Sequence, residues 1–136
     1  MAFVQDRWQD EPGVLERSVE TAGRLLISGM FISGGWNAFK APEQRAPRAA
    51  AIGIPFPELA TRANGAAMVA GGVALATGVA VKPAAAALAL TLVPTTIAGH
   101  PFWTEEDPKA RAQQRIHFLK NLARLGGLLI LLSKRR

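Results

Sequence analysis

The chain has 136 residues, of which 49% are hydrophobic, and it carries a formal net charge of +6 with no cysteine. This length leaves no room for a large soluble catalytic domain beside a set of membrane helices. The lack of cysteine excludes disulfides, thiolate metal ligands and a cysteine nucleophile. The basic residues flank apolar segments, which is typical of contact with anionic lipid head groups, so we expect no nucleic-acid partner.

Residues 1–18 predict a surface-lying tail. This stretch contains acidic residues and no continuous apolar core, so it does not fit a cleavable signal peptide. Residues 19–136 alternate between nearly charge-free apolar stretches and charged connectors, and they predict one transmembrane domain. Its spans are expected at about 19–39, 59–81, 83–99 and 116–133, each long enough to cross a hydrocarbon core. The predicted fold is all-α, an integral membrane antiparallel four-helix bundle.

The first predicted span contains charged and small polar residues at helical spacing. Arg24 follows Glu20 by one turn, an arrangement in which the acid partly neutralises the base. Gly29, Ser33 and Asn37 recur at every fourth position. Such a strip of small residues predicts close packing against another membrane helix.

The middle of the chain predicts a loop and two adjacent helices. Residues 41–58 contain four prolines, which favour a long loop over a helix. The second span has Asn64 near its start and glycines further along, which permit close backbone approach. Lys82 and Pro83 predict a tight turn, so spans two and three should be antiparallel neighbours. Pro94 predicts an interruption of the third span.

The fourth predicted span carries a polar seam in an apolar helix. Its members share one stripe, at successive steps of three or four, and they are His117, Lys120, Asn121 and Arg124. A cation that faces lipid is costly, so the seam should face other protein or a water-filled cavity. Arg124 is expected to lie deep, together with Arg24, and to share Glu20 as acidic partner. We therefore predict structural polar roles for Glu20, Arg24 and Arg124.

Four antiparallel spans place both termini on one side of the membrane and both long loops on the other. Lys and Arg are divided nearly evenly between the two sides, and we predict cytoplasmic termini because residues 134–136 directly follow the last span. Polar residues of all four spans then converge beneath the loops. This predicts a ligand-binding pocket covered by Phe56, Phe102 and Trp103. The expected binding residues are Asn37, Asn64, His100, Trp103, His117, Lys120 and Asn121.

Four segments resemble the DoxX-like family of small four-helix membrane proteins, which includes the related DoxD group. They are FISGGWNAFK at 31–40, GIPFPE at 53–58, HPFW at 100–103 and FLKNLARLGGLLIL at 118–131. The resemblance covers nearly the whole chain and implies association with quinone-linked oxidoreductases or redox-stress complexes, without implying a reaction. The resemblance implies that this chain shares the following positions with the family: Arg24, Lys40, His100, Pro101, Trp103, Lys120 and Asn121.

We therefore predict a subunit of a quinone-linked or redox-defence complex in a bacterial plasma membrane, with no catalytic residues of its own. In this hypothesis a quinone head group, not covalently bound, accepts hydrogen bonds from Lys120, Asn121 and His100, while Trp103 packs against its ring. The expected partners are the lipid bilayer and other protein subunits or further copies of the chain. Two alternatives stay open: a transporter or lipid-binding module for an anionic or small polar ligand, and an assembly scaffold.

Other interpretations of the polar residues also stay open. A b-type haem needs two imidazoles that face each other across a bundle, but His100 and His117 lie at the predicted membrane edge. No metal site is predicted, because no carboxylate accompanies these histidines within a span. His100 suits a helix C-terminus, Lys120 can extend to the interface, and Trp103 suits the head-group region.

Overall fold

The computed structural model describes residues 13–134, and this part of the chain contains helices and no strand. The predicted all-α fold is confirmed. Residues 1–12 of the predicted tail lie outside the described residues, and residues 14–18 belong to the first helix. The elements are α1 (Val14–Lys40), α2 (Ala46–Ala51), α3 (Pro57–Thr77), α4 (Val81–Gly99) and α5 (Pro108–Ser133), with 3₁₀ turns at Pro42–Gln44 and Phe102–Thr104.

The last helix begins well before the predicted residue 116. Asp107 provides its N-cap, because the side-chain carboxylate accepts a hydrogen bond of 3.3 Å from the backbone N–H of Ala110. Pro108 occupies the first turn, where a missing N–H leaves no helical bond unmade. Residues 109–115, which include Lys109, Arg111 and Arg115, therefore form a mostly exposed helical extension in place of the loop predicted between spans three and four.

The connector between α1 and α3 is not the predicted long loop. Pro42 and Pro47 stand in the first turns of the 3₁₀ helix and of α2, where proline is compatible with a helix. Ala46 and Ala49 are buried, so α2 packs against the long helices. The prolines thus start short helices here and do not prevent them.

The predicted interruption of α4 at Pro94 is wrong, because the helix continues through this residue. Threonine hydroxyls reinforce the turns around it. Thr95 Oγ1 donates to the Thr91 carbonyl at 2.8 Å, and Thr96 Oγ1 donates to the Leu92 carbonyl at 2.7 Å. Such bonds help a helix to tolerate the missing N–H of proline.

The backbones of α1 and α3 approach each other closely. A Cβ atom on Gly35 would lie 2.6 Å from the Gly65 carbonyl oxygen, and a Cβ atom on Gly65 would lie 2.5 Å from the Gly35 carbonyl oxygen. This contact lies at Gly65, before the glycines further along the span that the sequence analysis singled out; among those, Gly72 also approaches α1, since a Cβ atom on it would lie 3.4 Å from the Ser28 carbonyl oxygen. On α1 the contact uses another face than predicted, because Gly29, Ser33 and Asn37 are exposed.

The helices pack in chain order, with α1 against α3, α3 against α4 and α4 against α5. Their shared core consists of apolar side chains that include Phe31, Met68, Leu75, Leu88 and Leu128. An ion pair of 2.9 Å between Glu20 and Lys134 joins α1 to the residue that follows α5. The first part of α1 and the end of α5 therefore meet at one end of the molecule.

The glycine contact predicts a position-specific loss of stability. Gly35→Ala should lower the free energy of unfolding by about 1–3 kcal/mol, because the new methyl group overlaps the α3 backbone. Gly29→Ala is the matched control on the same helix, since a Cβ atom there meets no atom within 4 Å. Thermal unfolding in detergent, followed by circular dichroism, measures both. Equal midpoints for the two variants would contradict the backbone contact.

Candidate functional site

A cavity of about 540 Å³ lies among the helices, and all five α-helices contribute to its wall. Apolar side chains of α1, α3 and α4, including Phe31, Met68 and Leu92, line part of it. No Asp or Glu among the described residues lines the cavity. Its polar lining residues are Arg45, Arg48, Thr61, Asn64, Thr95, His100, Asn121 and Arg124.

Asn64 lies in the cavity wall and is held by α4. Its Nδ2 donates to Thr95 Oγ1 at 3.0 Å, and Thr95 in turn donates its hydroxyl hydrogen to the Thr91 carbonyl. Because the Thr95 hydroxyl hydrogen is used in the bond to Thr91, the Thr95 oxygen acts as the acceptor for Asn64. This network connects the first half of α3 with the second half of α4.

Asn121 is the most buried polar residue of the cavity wall, with 3% of its surface exposed. Its Nδ2 donates to Thr96 Oγ1 at 3.0 Å, and its Oδ1 accepts a hydrogen bond from Arg124 Nη1. Both ends of the amide are thus engaged, which fixes its orientation. Asn121 links α4 to α5 and positions the Arg124 guanidinium at the cavity.

Two further arginines come from the connector that the sequence analysis predicted as a loop. Arg45 Nη1 donates to the Gly34 carbonyl at 3.3 Å, and Arg48 Nη1 donates to the Gly99 carbonyl at 3.1 Å. Arg48 therefore supplies a cation at the C-terminus of α4, where positive charge is favourable. The i,i+3 spacing of the two arginines in an alanine-rich segment is the signal that would have predicted their common face.

His100 lies between the cavity and the surface. Its Nδ1 is 2.8 Å from Gln114 Oε1, so this nitrogen carries the hydrogen toward the amide oxygen. The His100 ring stacks on His117, with centroids 5.1 Å apart and an interplanar angle of 20°. His117 is exposed and does not line the cavity. The Gly99 carbonyl at the α4 terminus is bonded by Arg48 and not by the His100 side chain.

The histidine pair does not fit an axial haem site. Two axial imidazoles bind iron from opposite faces of the macrocycle, so the iron lies between them and the two rings do not contact each other. The rings of His100 and His117 instead lie on one another. Within residues 13–134, no group of three or more His, Cys, Asp or Glu side chains is placed to hold a metal ion.

Lys120 and Asn37 do not take the predicted positions in the cavity wall. Lys120 is exposed, whereas Asn121, the next residue, is buried. Successive residues of a helix differ by about 100° in direction, so the two side chains cannot share one face. Asn37 is likewise exposed beside the buried, cavity-lining Ala38. The structure therefore places Arg124, and not Lys120, as the α5 cation at the cavity.

The three aromatic residues that were expected to cover the cavity, Phe56, Phe102 and Trp103, lie outside its wall. Trp103 is half exposed and forms edge contacts with Phe102 and Phe118, with centroids 5.3 Å and 5.9 Å away. Phe56 is 78% exposed. The predicted aromatic cover is therefore replaced by the connector, in which Ala49 of α2 lines the cavity.

Arg24 and Arg124 have different surroundings, since Arg24 bonds the end of α3 and Arg124 lines the cavity. Arg24 Nη1 donates to the Leu75 carbonyl at 3.2 Å, in the last turn of α3, and Arg24 does not line the cavity. Gly78 ends this helix with φ +79°, and a Cβ atom on it would lie 2.6 Å from Arg24 Nη1. Glu20 pairs with Lys134. These contacts support a structural role for Arg24.

Two described segments are long and apolar enough to cross a membrane, Val81–Thr104 and Pro108–Ser133. They comprise α4 with the turn that follows it, and α5.

Residues 20–101, more than half of the chain, match a protein-family model described as DoxX. No curated protein and no solved structure matches the chain.

The amide network predicts that Asn121 is needed for stability. Asn121→Leu removes the partner of both the Thr96 hydroxyl and the Arg124 guanidinium, so the free energy of unfolding should fall by about 1–3 kcal/mol. Asn37→Leu makes the same change at an exposed position and should alter it by less than about 0.5 kcal/mol. Thermal unfolding in detergent compares the stabilities of the two variants. A greater loss of stability in Asn37→Leu than in Asn121→Leu would show that the amide network is unimportant.

Proposed function

The chain belongs to the DoxX family, and we propose that it is an integral membrane subunit of a quinone-linked or redox-defence complex, with a quinone head group in its cavity. Proteins of this family are generally membrane proteins associated with redox or quinone-related functions. The observation that carries the proposal is the cavity wall, which combines apolar side chains with strong hydrogen-bond donors and contains no carboxylate among the described residues.

In the proposed arrangement all four long helices cross the membrane as an antiparallel bundle, with both termini in the cytoplasm of a bacterium. The shortest, α4, has 19 residues and covers about 29 Å, close to the thickness of a hydrocarbon core. Large apolar side chains are exposed on α1 and α3 as well as on the two apolar helices, among them Leu26, Leu59, Leu90 and Ile130. Lipid would cover these apolar side chains, whose exposure to water is unfavourable.

The cavity residues fit a quinone head group by size and by chemistry. A volume of about 540 Å³ lies within the range of small-ligand pockets, roughly 300–1,000 Å³. Quinone oxygens are hydrogen-bond acceptors, and each guanidinium offers several N–H donors. Phe31, Met68 and Leu92 would contact the ring and the start of its tail. A bound quinone would accept electrons from a partner oxidoreductase, since no described residue supplies them.

Arg124 is the residue that we expect to hold a quinone oxygen most directly. Asn121 occupies one of its donors, and the remaining N–H groups stay available to a ligand. Cationic donors stabilise the negative charge that develops on a quinone during reduction. This role replaces the one predicted for Lys120, whose exposed side chain lies outside the cavity wall.

A second candidate is a lipid-binding or transport module for an anionic ligand. Three arginines without a lining carboxylate favour it. The scaffold alternative would leave the cavity without a specific ligand.

Analysis of what co-purifies in mild detergent separates these three functions. Bound quinone supports the main proposal, and phospholipid alone supports the second candidate. A stoichiometric oxidoreductase without quinone supports the scaffold.

The quinone proposal predicts different effects for two cations on α5. Arg124→Met should lower bound quinone about tenfold or more, because a charge-assisted hydrogen bond is lost. Lys120→Met should retain the wild-type quinone content, since Lys120 lies outside the cavity wall. Mass spectrometry of extracted quinone, with circular dichroism as a check of folding, measures both. Loss of quinone from a folded Lys120→Met protein alone would return the binding role to Lys120.

The membrane arrangement predicts the sides from which single cysteines react. The chain has no native cysteine, so each introduced thiol reports alone. Glu43→Cys and Glu106→Cys should react with an impermeant maleimide from outside the cell, whereas Val79→Cys and Ser133→Cys should react only after permeabilisation. All four positions are exposed. Reaction of all four from one side would disprove the four spans, and exchanged sides would reverse only the orientation.

A further inference from the structure

We infer that the cavity selects a quinone with an ionised ring hydroxyl, so that the ligand binds as an organic anion and not as a neutral ring. This inference rests on the proposed function and specifies its ligand class. Its basis is the convergence of Arg45, Arg48 and Arg124 on one cavity whose described lining contains no carboxylate.

The three guanidinium groups have neutral acceptors. Arg45 donates to the Gly34 carbonyl, Arg48 donates to the Gly99 carbonyl, and Arg124 donates to the Asn121 amide oxygen. A neutral acceptor satisfies a donor but leaves the positive charge in place. The described ion pair, between Glu20 and Lys134, uses residues that do not line this cavity.

An anionic ligand would complete this site electrostatically. Like charges in a partly buried cavity repel each other more strongly than in water, because the effective dielectric constant is lower. An anion that enters the cavity relieves this repulsion. Hydrogen bonds from a guanidinium to a charged oxygen are roughly twice as strong as those to a neutral oxygen. The arginine set therefore favours an ionised ligand over a neutral ligand of the same shape.

The apolar part of the wall favours a flat aromatic ring as the body of this anion. Met30 and Met68 both line the cavity, together with Phe31. Methionine sulfur makes favourable contacts with aromatic rings, and its flexible side chain adapts to their shape. A hydroxyquinone combines such a ring with a negative charge that is shared between ring oxygens. A phospholipid offers the charge without the ring.

Two naphthoquinones of nearly equal size test this selectivity. Lawsone carries an ionised hydroxyl at neutral pH, and menadione carries a methyl group in the same position. Titration of each into the detergent-purified full chain, followed by the shift in unfolding temperature, gives both affinities. Lawsone should bind about tenfold more tightly than menadione. High salt should reduce the difference, because salt screens the arginine charges near the cavity opening.

Two arginine variants identify the source of the preference. Arg48→Gln removes one charge from the cavity wall and should lower the ratio of lawsone to menadione affinity several-fold. Arg62→Gln removes one charge from an exposed position on α3 outside the wall, where the guanidinium lies 5.4 Å from the Phe39 ring centroid. It should leave the ratio unchanged. An equal loss in both variants would show that only net charge matters, which would overturn the inference.

The outcomes separate this inference from the proposed function. Equal binding of lawsone and menadione would overturn the anion selectivity and leave the quinone pocket standing. Binding of neither ring would overturn the quinone pocket itself. Complete displacement of lawsone by low concentrations of phosphatidylglycerol in nanodiscs would show that the arginines select a lipid phosphate, and the ring preference would then be wrong.

Discussion

The backbone contact between α1 and α3 is the constraint on which the rest of the structure depends. Gly35 and Gly65 lie so close that neither position has space for a Cβ atom. Cavity-lining residues flank this contact on both helices, with Gly34 and Ala38 on α1 and Met68 on α3. The distance between the two helices therefore fixes two walls of the cavity at once. A wider spacing would move the residues that line both walls.

Arginine bonds to backbone carbonyls form the next level of organisation. Arg48 bonds the last residue of α4, and Arg24 bonds the last turn of α3. The carbonyls of a helix C-terminus lack partners within the helix, and in an apolar environment each of them needs a donor. A guanidinium can meet this need with one N–H group and still present others. The positive charge of the cavity thus follows partly from the requirements of the helices, and a ligand can use the donors that remain.

The sequence predicted the helices better than it predicted their faces. Asn64, His100 and Asn121 were expected at the cavity and line it, because each is a polar residue on or beside an apolar helix. The polar stripe of α5 was too broad to define one direction, and only the packing of Asn121 against Thr96 directs Lys120 away from the cavity. Arg45 and Arg48 were missed because prolines predicted a loop, although proline is compatible with a helix's first turn.

The length of α5 places the cavity near one surface of the membrane in the proposed arrangement. Its 26 residues cover about 39 Å, more than a hydrocarbon core of about 30 Å, so its charged first turns extend beyond the lipid chains. The cluster of Phe102, Trp103 and Phe118 then lies at head-group depth, where aromatic residues are favoured. Asn121 follows Phe118 by about one helical turn and Arg124 by about two, so the cavity lies just below the head-group level. A quinone ring held there would remain within reach of a partner bound over the loops, while its tail stays in lipid.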